Sequence, residues 1–395
     1  MNASRPASIA IACGGTGGHL FPGIAVAREL EALGARVRLF VSEKEVDRLG
    51  TREFPSGQVT ALPAIGLDLR RLPAFGRGFV RAFWLSARRF QRERPDAVLG
   101  MGGFASAPPL VAARLAGARL FLHEANSVAG RANRWLAWLA RESFVFFPSA
   151  ARGLRRASVQ VTGMPVRERF RRLDPEECRT RLGLAPDRPT LLVMGGSQGA
   201  AGLNDAFLRT LPLLRLMEPA LQFVHLTGTF SHEAVAEAYT QPGMMACVRP
   251  FLAEMEVALG AADLAISRAG ASSLAELAAM RVPPILIPYP TAVGNHQVHN
   301  ARHFAEAGAA RVIPQAEAAP ERLLWEIRGL LRHEQARRSM ADALTRRHHP
   351  AAARLIAERM WTALGQPLRQ VDGGPDLDPA PDSIPSQPQR FPASS

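Results

Sequence analysis

The chain is poor in the residues that build disulfide frameworks, zinc sites and membrane spans. Three of its 395 residues are cysteine (Cys13, Cys178 and Cys247), far apart and never spaced as Cys-x-x-Cys. That argues against both a disulfide scaffold and a zinc centre. Cys13 ends an apolar run and reads as a buried, unreactive thiol. No stretch of about 18 mainly apolar residues runs free of Gly or Pro, so no transmembrane helix is expected. No long apolar segment follows Met1-Asn-Ala-Ser-Arg-Pro6, which points to a cytoplasmic protein. Lysine is almost missing too: Lys44 is the single lysine among 48 basic residues. With the abundant alanine, this arginine excess reads as genome composition. The net charge of +13 therefore does not imply a nucleic-acid partner, because the arginines are scattered everywhere except between Arg70 and Arg94. There they interleave with Phe75, Phe79, Phe83, Trp84 and Phe90, a mixture suited to an anionic membrane surface. The alternative is that these aromatics form the core side of one helix. Apolar residues at 47% and charged residues at 21% are ordinary for a globular chain. The length fits roughly two domains of about 150 residues each.

What is present is a glycine-rich loop, three times over, each directly after an apolar run. Ser8–Cys13 leads into Gly14-Gly-Thr-Gly-Gly-His19, Ala97–Leu99 into Gly100-Met-Gly-Gly103, and Thr190–Met194 into Gly195-Gly-Ser-Gln-Gly199. Strand, glycine cluster and helix in that order make a phosphate loop, because a residue without Cβ lets backbone N–H groups approach an anion. No Walker lysine follows any of them, which excludes a P-loop ATPase.

The periodicity alternates strands and helices. Strands are expected at 8–13, 37–41, 97–99, 120–122, 143–147, 190–194, 221–226, 265–267 and 284–287. Helices are expected at 22–33, 80–92, 131–140, 202–215, 272–280, 296–307 and 351–364. Residues 167–188 read as charged loop. The pattern predicts an α/β fold with two doubly wound parallel sheets. Residues 1–165 form one expected domain and 166–350 the second, with the 351–364 helix packing back on the first. The tail 366–395, rich in Pro, Asp, Ser and Gln, is expected to be disordered. Its Asp376-Leu-Asp378 imitates a metal motif only superficially.

Several polar residues fall at strand ends, where open α/β sheets bind ligands. His19 sits where the first loop meets its helix. It reads either as a packing residue or as a neutral general base whose pKa is lowered by the positive helix end. His123, Glu124 and Asn126 crowd another strand end, where Asn126 suits sugar hydroxyls or an Asx-turn. Ser197 and Gln198 lie inside the third loop, with Asn204 just beyond, as in a pyrophosphate site or a plain tight turn. In Ser267-Arg-Ala-Gly-Ala-Ser-Ser-Leu-Ala-Glu276, Ser272 or Ser273 suits a helix cap. Glu276 suits either the helix dipole or ribose hydroxyls. His296, His299 and His303 share a helix face with metal-like spacing, but no carboxylate or cysteine accompanies them except Glu306, so a solvated or ligand-facing side is the better reading.

Taken together, these segments resemble the MurG family of cell-wall N-acetylglucosaminyltransferases. The match runs over about residues 8–364, through Gly14–Ala27, Leu99–Phe104, His123-Glu-Ala-Asn126, Gly163-Met-Pro-Val-Arg167, Gly195–Ala200, Arg268–Glu276 and Asn295-His-Gln297. The resemblance implies a GT-B fold, an N-terminal domain facing acceptor and membrane, and a C-terminal domain binding UDP-GlcNAc. It implies inverting transfer of GlcNAc to the C4 hydroxyl of undecaprenyl-pyrophosphoryl-MurNAc-pentapeptide, without a metal or other cofactor. The protein would sit peripherally on the cytoplasmic face of the membrane, with other cell-wall synthesis proteins as further partners.

Carried over by position, His19 would be the base, and Thr16, Gly17 and Gly18 would approach the donor. Asn126 and Gln297 would contact GlcNAc, while Arg167 and the backbone of Leu252 would hold uracil. Ser197 would contact a phosphate. Ala271, Ser272, Ser273, Leu274 and Ala275 would offer backbone amides, and Glu276 would bind ribose. Gly102 and Gly103 are assigned to the acceptor pyrophosphate, and Leu72, Phe75, Phe79, Phe83 and Trp84 to the membrane. Met164, Ala125, Leu252 and Ala269 depart from the residues expected at their positions. A UDP-GlcNAc 2-epimerase of similar fold, or a non-catalytic nucleotide-binding membrane scaffold, would keep the loops. The epimerase would need further carboxylates and no basic-aromatic patch; the scaffold would not need His19.

Overall fold

The computed structural model of the chain describes residues 5–63, 72–154, 157–196 and 200–368. Its first half is one sheet of parallel strands, β1 (Ser8–Ala12), β2 (Arg36–Ser42), β3 (Val59–Leu62), β4 (Ala97–Gly100), β5 (Arg119–Glu124), β6 (Glu142–Val145) and β7 (Ser158–Val161). They lie in the order β3-β2-β1-β4-β5-β6-β7. Helices α1 (Gly17–Ala32), α2 (Glu45–Gly50), α3 (Leu72–Arg92), α4 (Ala107–Leu115) and α5 (Arg131–Leu136) connect them. The second half repeats the plan after α6 (Pro175–Arg181). Strands β8 (Thr190–Met194), β9 (Gln222–Leu226), β10 (Ala246–Arg249), β11 (Leu264–Ser267), β12 (Pro284–Leu286) and β13 (Arg311–Val312) run in the order β10-β9-β8-β11-β12-β13. The helices here are α7 (Ala201–Met217), α8 (His232–Ala238), α9 (Met255–Ala261), α10 (Ala271–Met280), α11 (His296–Glu306), α12 (Pro320–Arg332), α13 (Glu334–Thr345) and α14 (Ala352–Ala363).

The central strands are apolar on both faces because helices cover both. β1 and β8 are buried at every position. In each sheet the strand order reverses beside the first strand, between β1 and β4 and between β8 and β11. These are the switch points where two neighbouring crossovers part and leave a crevice. The loops after these four strands are Gly14–Thr16, Met101–Gly103, the segment from Gly195, and Arg268–Gly270.

Several elements differ from the periodicity. Helix α1 begins at Gly17 rather than near 22. Thr16 is extended (φ −151°, ψ 155°) and its carbonyl accepts the N–H groups of His19 and Leu20 at 3.0 and 3.1 Å. Pro22 therefore falls inside the helix. Helix α3 is 21 residues long and swallows the glycines at 76 and 78. The supposed loop 167–188 contains α6, capped by Asp174, whose side chain accepts the Glu177 N–H. Strands β3, β7, β10 and β13 carry no period-2 apolar signal, since they are edge strands and partly exposed.

Helix α14 returns across the molecule and joins the core of the first sheet. Ile356, Ala357 and Met360 pack there with Leu20, Val26 and Leu30 of α1. Ile356 and Met360 are fully buried, each contributing about 2 kcal/mol by area removed from water. A separate apolar cluster spans the two halves, where Ala125, Phe146, Phe147 and Met164 meet Leu274, Leu286 and Phe304. Met164, a departure from the expected residue, is thus a core residue here. Tail residues 369–395, including Asp376 and Asp378, lie outside the described residues, as do Arg70 and Arg71 at the start of the arginine-aromatic segment.

Candidate active site

The C-terminal edges of the two sheets face one another, and the residues singled out by the sequence gather along that seam. The N termini of α1 and α10 meet there. A hydrogen bond joins them, from the Ser272 hydroxyl to the Gly18 carbonyl, at 3.1 Å. The sequence explains why that carbonyl is open. Pro22 lacks the N–H that would otherwise close the helical turn onto Gly18. Ser272 is therefore not a helix cap: Gly270 occupies that position, without a side-chain bond. Two positive helix ends held this close favour an anion between them. Ala271, buried, and Leu274 and Ala275 in the same turn turn their side chains to the core, while Ser273 is half-exposed.

His19 lies in the first turn of α1, packed against Gly102 and Gly103. Both glycines have positive φ (+100° and +76°), and a Cβ on either would sit 3.1–3.3 Å from the imidazole ring. The close approach of loop to ring thus depends on glycine. Nδ1 of His19 is sealed from solvent without a well-aligned hydrogen bond. Burial, and to a lesser extent the neighbouring His296, lowers the His19 pKa. The charges of Glu124 and Asp47 and the Met101 backbone pull the other way.

The loop beneath His19 is shaped by a residue the sequence reading missed. Asp47, fully buried, accepts the Gly15 and Ser42 N–H groups at 2.8 Å and the Ser42 hydroxyl at 2.5 Å. Lys44 closes the same loop by donating to the Gly15 carbonyl at 2.9 Å. No sequence spacing links these positions; strand β2 and helix α2 bring them together.

On the second side, Glu276 lies 3.9 Å from the Arg167 guanidinium, both side chains largely buried. Burial pushes the Glu276 carboxyl up to about 7, against the pull of Arg167 and Arg169. Arg167, whose own pKa burial lowers to about 10, stacks on Phe21 of α1 at 3.9 Å and on Phe170 at 4.9 Å. Leu252 is half-buried in the loop after β10, against the core of the second sheet. Ser197 and Gln198 lie outside the described residues.

The strand end His123–Asn126 divides its labour. His123 is buried and faces the Gly163 carbonyl at 3.3 Å; burial lowers its pKa to about 4. Glu124 is also buried and accepts the N–H groups of Asn126 (3.0 Å) and Gly130 (2.9 Å) and the Asn133 amide (2.9 Å). It shapes the loop. Asn126 is left at the seam. Gln297 approaches from α11, its Oε1 accepting the N–H groups of Tyr289 (2.9 Å) and Ala269 (3.2 Å), so its Nε2 is the end available to a ligand. One helical turn on, buried Asn300 is a second residue the reading missed, although its i+3 spacing from Gln297 was a usable signal.

The α11 histidines do not converge. His296 Nδ1 lies 2.9 Å from the Val293 carbonyl and His303 Nε2 3.0 Å from the Ser149 hydroxyl. Among the described residues no group of three or more His, Cys, Asp or Glu side chains could hold a metal ion. Cys13 is buried, and burial raises its thiol pKa far above the ordinary value, as an inert thiol requires.

Along α3 the aromatics split. Phe90 belongs to the core, 5.0 Å from Phe40, and is not part of a surface patch. Phe75, Phe79 and Phe83 are half-buried, Phe75 edge-on to Phe104 at 6.0 Å. Trp84 is 56% exposed, beside exposed Val80, Arg77, Arg81 and Arg88. Leu72 opens the helix. Helix α5, which shares a core layer with α3, adds exposed Trp135 (85%), with exposed Arg134 next to it and exposed Arg131 one helical turn before it. No helix among the described residues is long and apolar enough to cross a membrane.

Both halves of the chain are similar to known proteins. Residues 9–145 match the model of the glycosyltransferase family 28 N-terminal domain, and residues 190–356 that of its C-terminal domain. Two similar proteins carry the name UDP-N-acetylglucosamine--N-acetylmuramyl-(pentapeptide) pyrophosphoryl-undecaprenol N-acetylglucosamine transferase. That of Acidithiobacillus ferrooxidans is 41% identical, over 89% of this chain and 96% of its own. That of Hahella chejuensis is 37% identical, over 89% and 97%. Among solved structures, Acinetobacter baumannii MurG superposes with a TM-score of 0.69 at 27% identity, over 91% of this chain and all of that one. A putative UDP-N-acetylglucosamine 2-epimerase from Listeria monocytogenes reaches the same TM-score at 16% identity, over 91% and 96%, and shares the fold.

Proposed function

The chain belongs to the MurG family within glycosyltransferase family 28, and we propose that it transfers GlcNAc from UDP-GlcNAc to the C4 hydroxyl of undecaprenyl-pyrophosphoryl-MurNAc-pentapeptide. The observation that carries this reading is the meeting of the α1 and α10 N termini across the seam, with His19 on one and Glu276 on the other. It gives an anionic leaving group and a proton acceptor opposite sides of one site.

The donor pyrophosphate would lie against the N-terminal amides of α10, from Ala271 to Ala275. Ser272 contributes its N–H, because its hydroxyl is spent on Gly18. Ribose would bind Glu276, and uracil would pack near Arg167 and the Leu252 backbone. Asn126 and the Nε2 of Gln297 would meet the GlcNAc hydroxyls, with Thr16, Gly17 and Gly18 closing on the anomeric carbon. The acceptor hydroxyl then attacks that carbon from the His19 side while UDP leaves, inverting it. His19 takes the proton. Burial keeps its imidazole neutral, as a base must be, and Nε2 serves if Nδ1 holds the ring proton. Fixed helix-end dipoles stabilise the charge growing on the pyrophosphate, with no reorganisation needed at the moment of reaction. Gly102 and Gly103 lie next to His19 and on that ground suit the acceptor's pyrophosphate.

The acceptor is a lipid, so the first half must reach the membrane. We assign this to the α3 surface around Phe75, Phe79, Phe83 and Trp84, extended by Trp135 on α5, with arginines meeting anionic headgroups at the cytoplasmic face. The epimerase alternative rests on a likeness of fold at 16% identity and is not favoured. Incubation with UDP-GlcNAc, with and without a lipid-linked acceptor analogue, tests the whole reading. UDP released only when acceptor is present supports transfer. Isomerised sugar without acceptor, or no turnover at all, rejects it.

A further inference from the structure

Asn300, on α11, is completely buried and spends every hydrogen-bonding capacity of its amide. Its Oδ1 accepts both the N–H and the hydroxyl of Ser127, each at 2.9 Å. Its Nδ2 donates to Asn126 Oδ1 at 3.1 Å and to the Ala269 carbonyl at 3.2 Å. Ser127 and Asn126 belong to the loop after β5, in the first half. Ala269 belongs to the loop after β11, in the second, and the same residue's N–H is held by Gln297. One side chain of α11 thus ties the loop that carries Asn126 to the loop whose Ala269 N–H is held by Gln297, the other proposed sugar contact. A second clasp lies one turn further along α11. The Ser149 hydroxyl donates to the Ser127 carbonyl at 2.9 Å and meets His303 Nε2 at 3.0 Å, so Ser127 is gripped at both its N–H and its carbonyl.

We infer that Asn300 is a positioning residue that couples closure of the two halves to recognition of the donor sugar. An unaided asparagine amide can flip, exchanging donor and acceptor. The N–H from Asn300 fixes Asn126 with its oxygen towards α11 and its nitrogen towards Glu124, 3.4 Å away. Asn126 then offers the sugar one defined pattern, and only when α11 has docked on the β5 loop. Without the bond from Asn300, only the longer contact to Glu124, at 3.4 Å, orients the same amide. Because the bonds of Asn300 are buried, leaving one unmade carries the full desolvation penalty, so the clasp acts as a unit. This rests on the proposed contact between Asn126 and GlcNAc.

The test compares affinities for UDP and for UDP-GlcNAc by calorimetry in the full chain, for Asn300→Asp, Asn126→Ala and the double variant. Asn300→Asp keeps the acceptor for Ser127 but sets an oxygen against Asn126 Oδ1 and the Ala269 carbonyl. Its melting temperature, measured alongside, reports folding. Ser127→Ala, which removes one of the four bonds, replaces it if it does not fold. The expected result is UDP affinity within about twofold of the parent, UDP-GlcNAc affinity at least about tenfold weaker, and no additional loss in the double variant beyond Asn126→Ala alone. Equal weakening of both ligands, or losses that add, overturns the coupling. If the parent chain binds UDP-GlcNAc no better than UDP and Asn126→Ala changes neither affinity, the sugar contact itself is wrong and the inference falls with it.

Discussion

Glu276 should make donor binding depend on pH in a way that can be worked out beforehand. Buried beside Arg167, its carboxyl titrates near 7 in the empty protein rather than near the ordinary 4.5. A carboxylate accepting two ribose hydroxyls must be ionised, so the bound donor returns its pKa towards the ordinary value. Affinity is then constant above neutrality and falls about tenfold per pH unit below it. Between about pH 8 and about pH 5.5 the loss is ~30-fold, or ~2 kcal/mol, from the ratio of the two titration factors. UDP-GlcNAc is the right probe, because its pyrophosphate is a diester and does not itself titrate in this window. Stability runs in the opposite sense. A folded pKa raised above the unfolded one gives stability that is present below about 4.5 and is lost as pH rises through about 7. The empty protein gives up about 3 kcal/mol over that range from this group alone. The thermal shift produced by UDP-GlcNAc should accordingly be larger at the higher pH. Calorimetric titration of the parent and of Glu276→Gln is the assay: the variant binds more weakly at high pH and loses the slope. A parent affinity independent of pH, or a variant that keeps the slope, would refute the ribose assignment.

Three more outcomes are expected. His19→Ala should lower kcat by ~10²–10⁴-fold with UDP affinity preserved, the range for loss of a general base; an unchanged kcat removes His19 from the proton transfer. Replacing Trp84 and Trp135 together by serine should abolish sedimentation with vesicles containing anionic lipid while leaving UDP affinity intact; undiminished sedimentation rejects this surface. The buried, neutral His123 and His225 have folded pKa values of about 4 and about 3, below the unfolded 6.5. Their stability contribution is present above 6.5 and lost as pH falls. Together they should cost about 5 kcal/mol by about pH 4.5. Urea unfolding across that range measures the loss, and His225→Asn should remove about half of it.

Much of the fold was legible because burial leaves a mark on composition. The strands expected from apolar runs are the inner ones, β1, β4, β8 and β11 among them, each buried at every position. The strands that escaped notice, β3, β7, β10 and β13, are the edges of the two sheets. An edge strand meets solvent on one side, so selection for apolar residues there is weak, and Ser158–Val161 looks like loop. The early start of α1 escaped for a different reason. Gly17, Gly18 and Pro22 are poor helix formers, and the backbone bonds to Thr16 and the packing against β1 override that preference.

The sequence by itself determined the two-sheet plan, the glycine loops after the strands and the family. These depend on local steric rules and on the order of segments along the chain. Only the tertiary structure decided which groups answer one another across the seam. Gly18 meets Ser272 from 254 residues away, and Asn126 meets Asn300 from 174. No local propensity encodes such pairs, since each arises from docking two independently wound sheets. The same docking stacks Arg167, the cation beside Glu276, on Phe21 of α1. It also gives the carbonyl freed by Pro22 a partner on the opposite half.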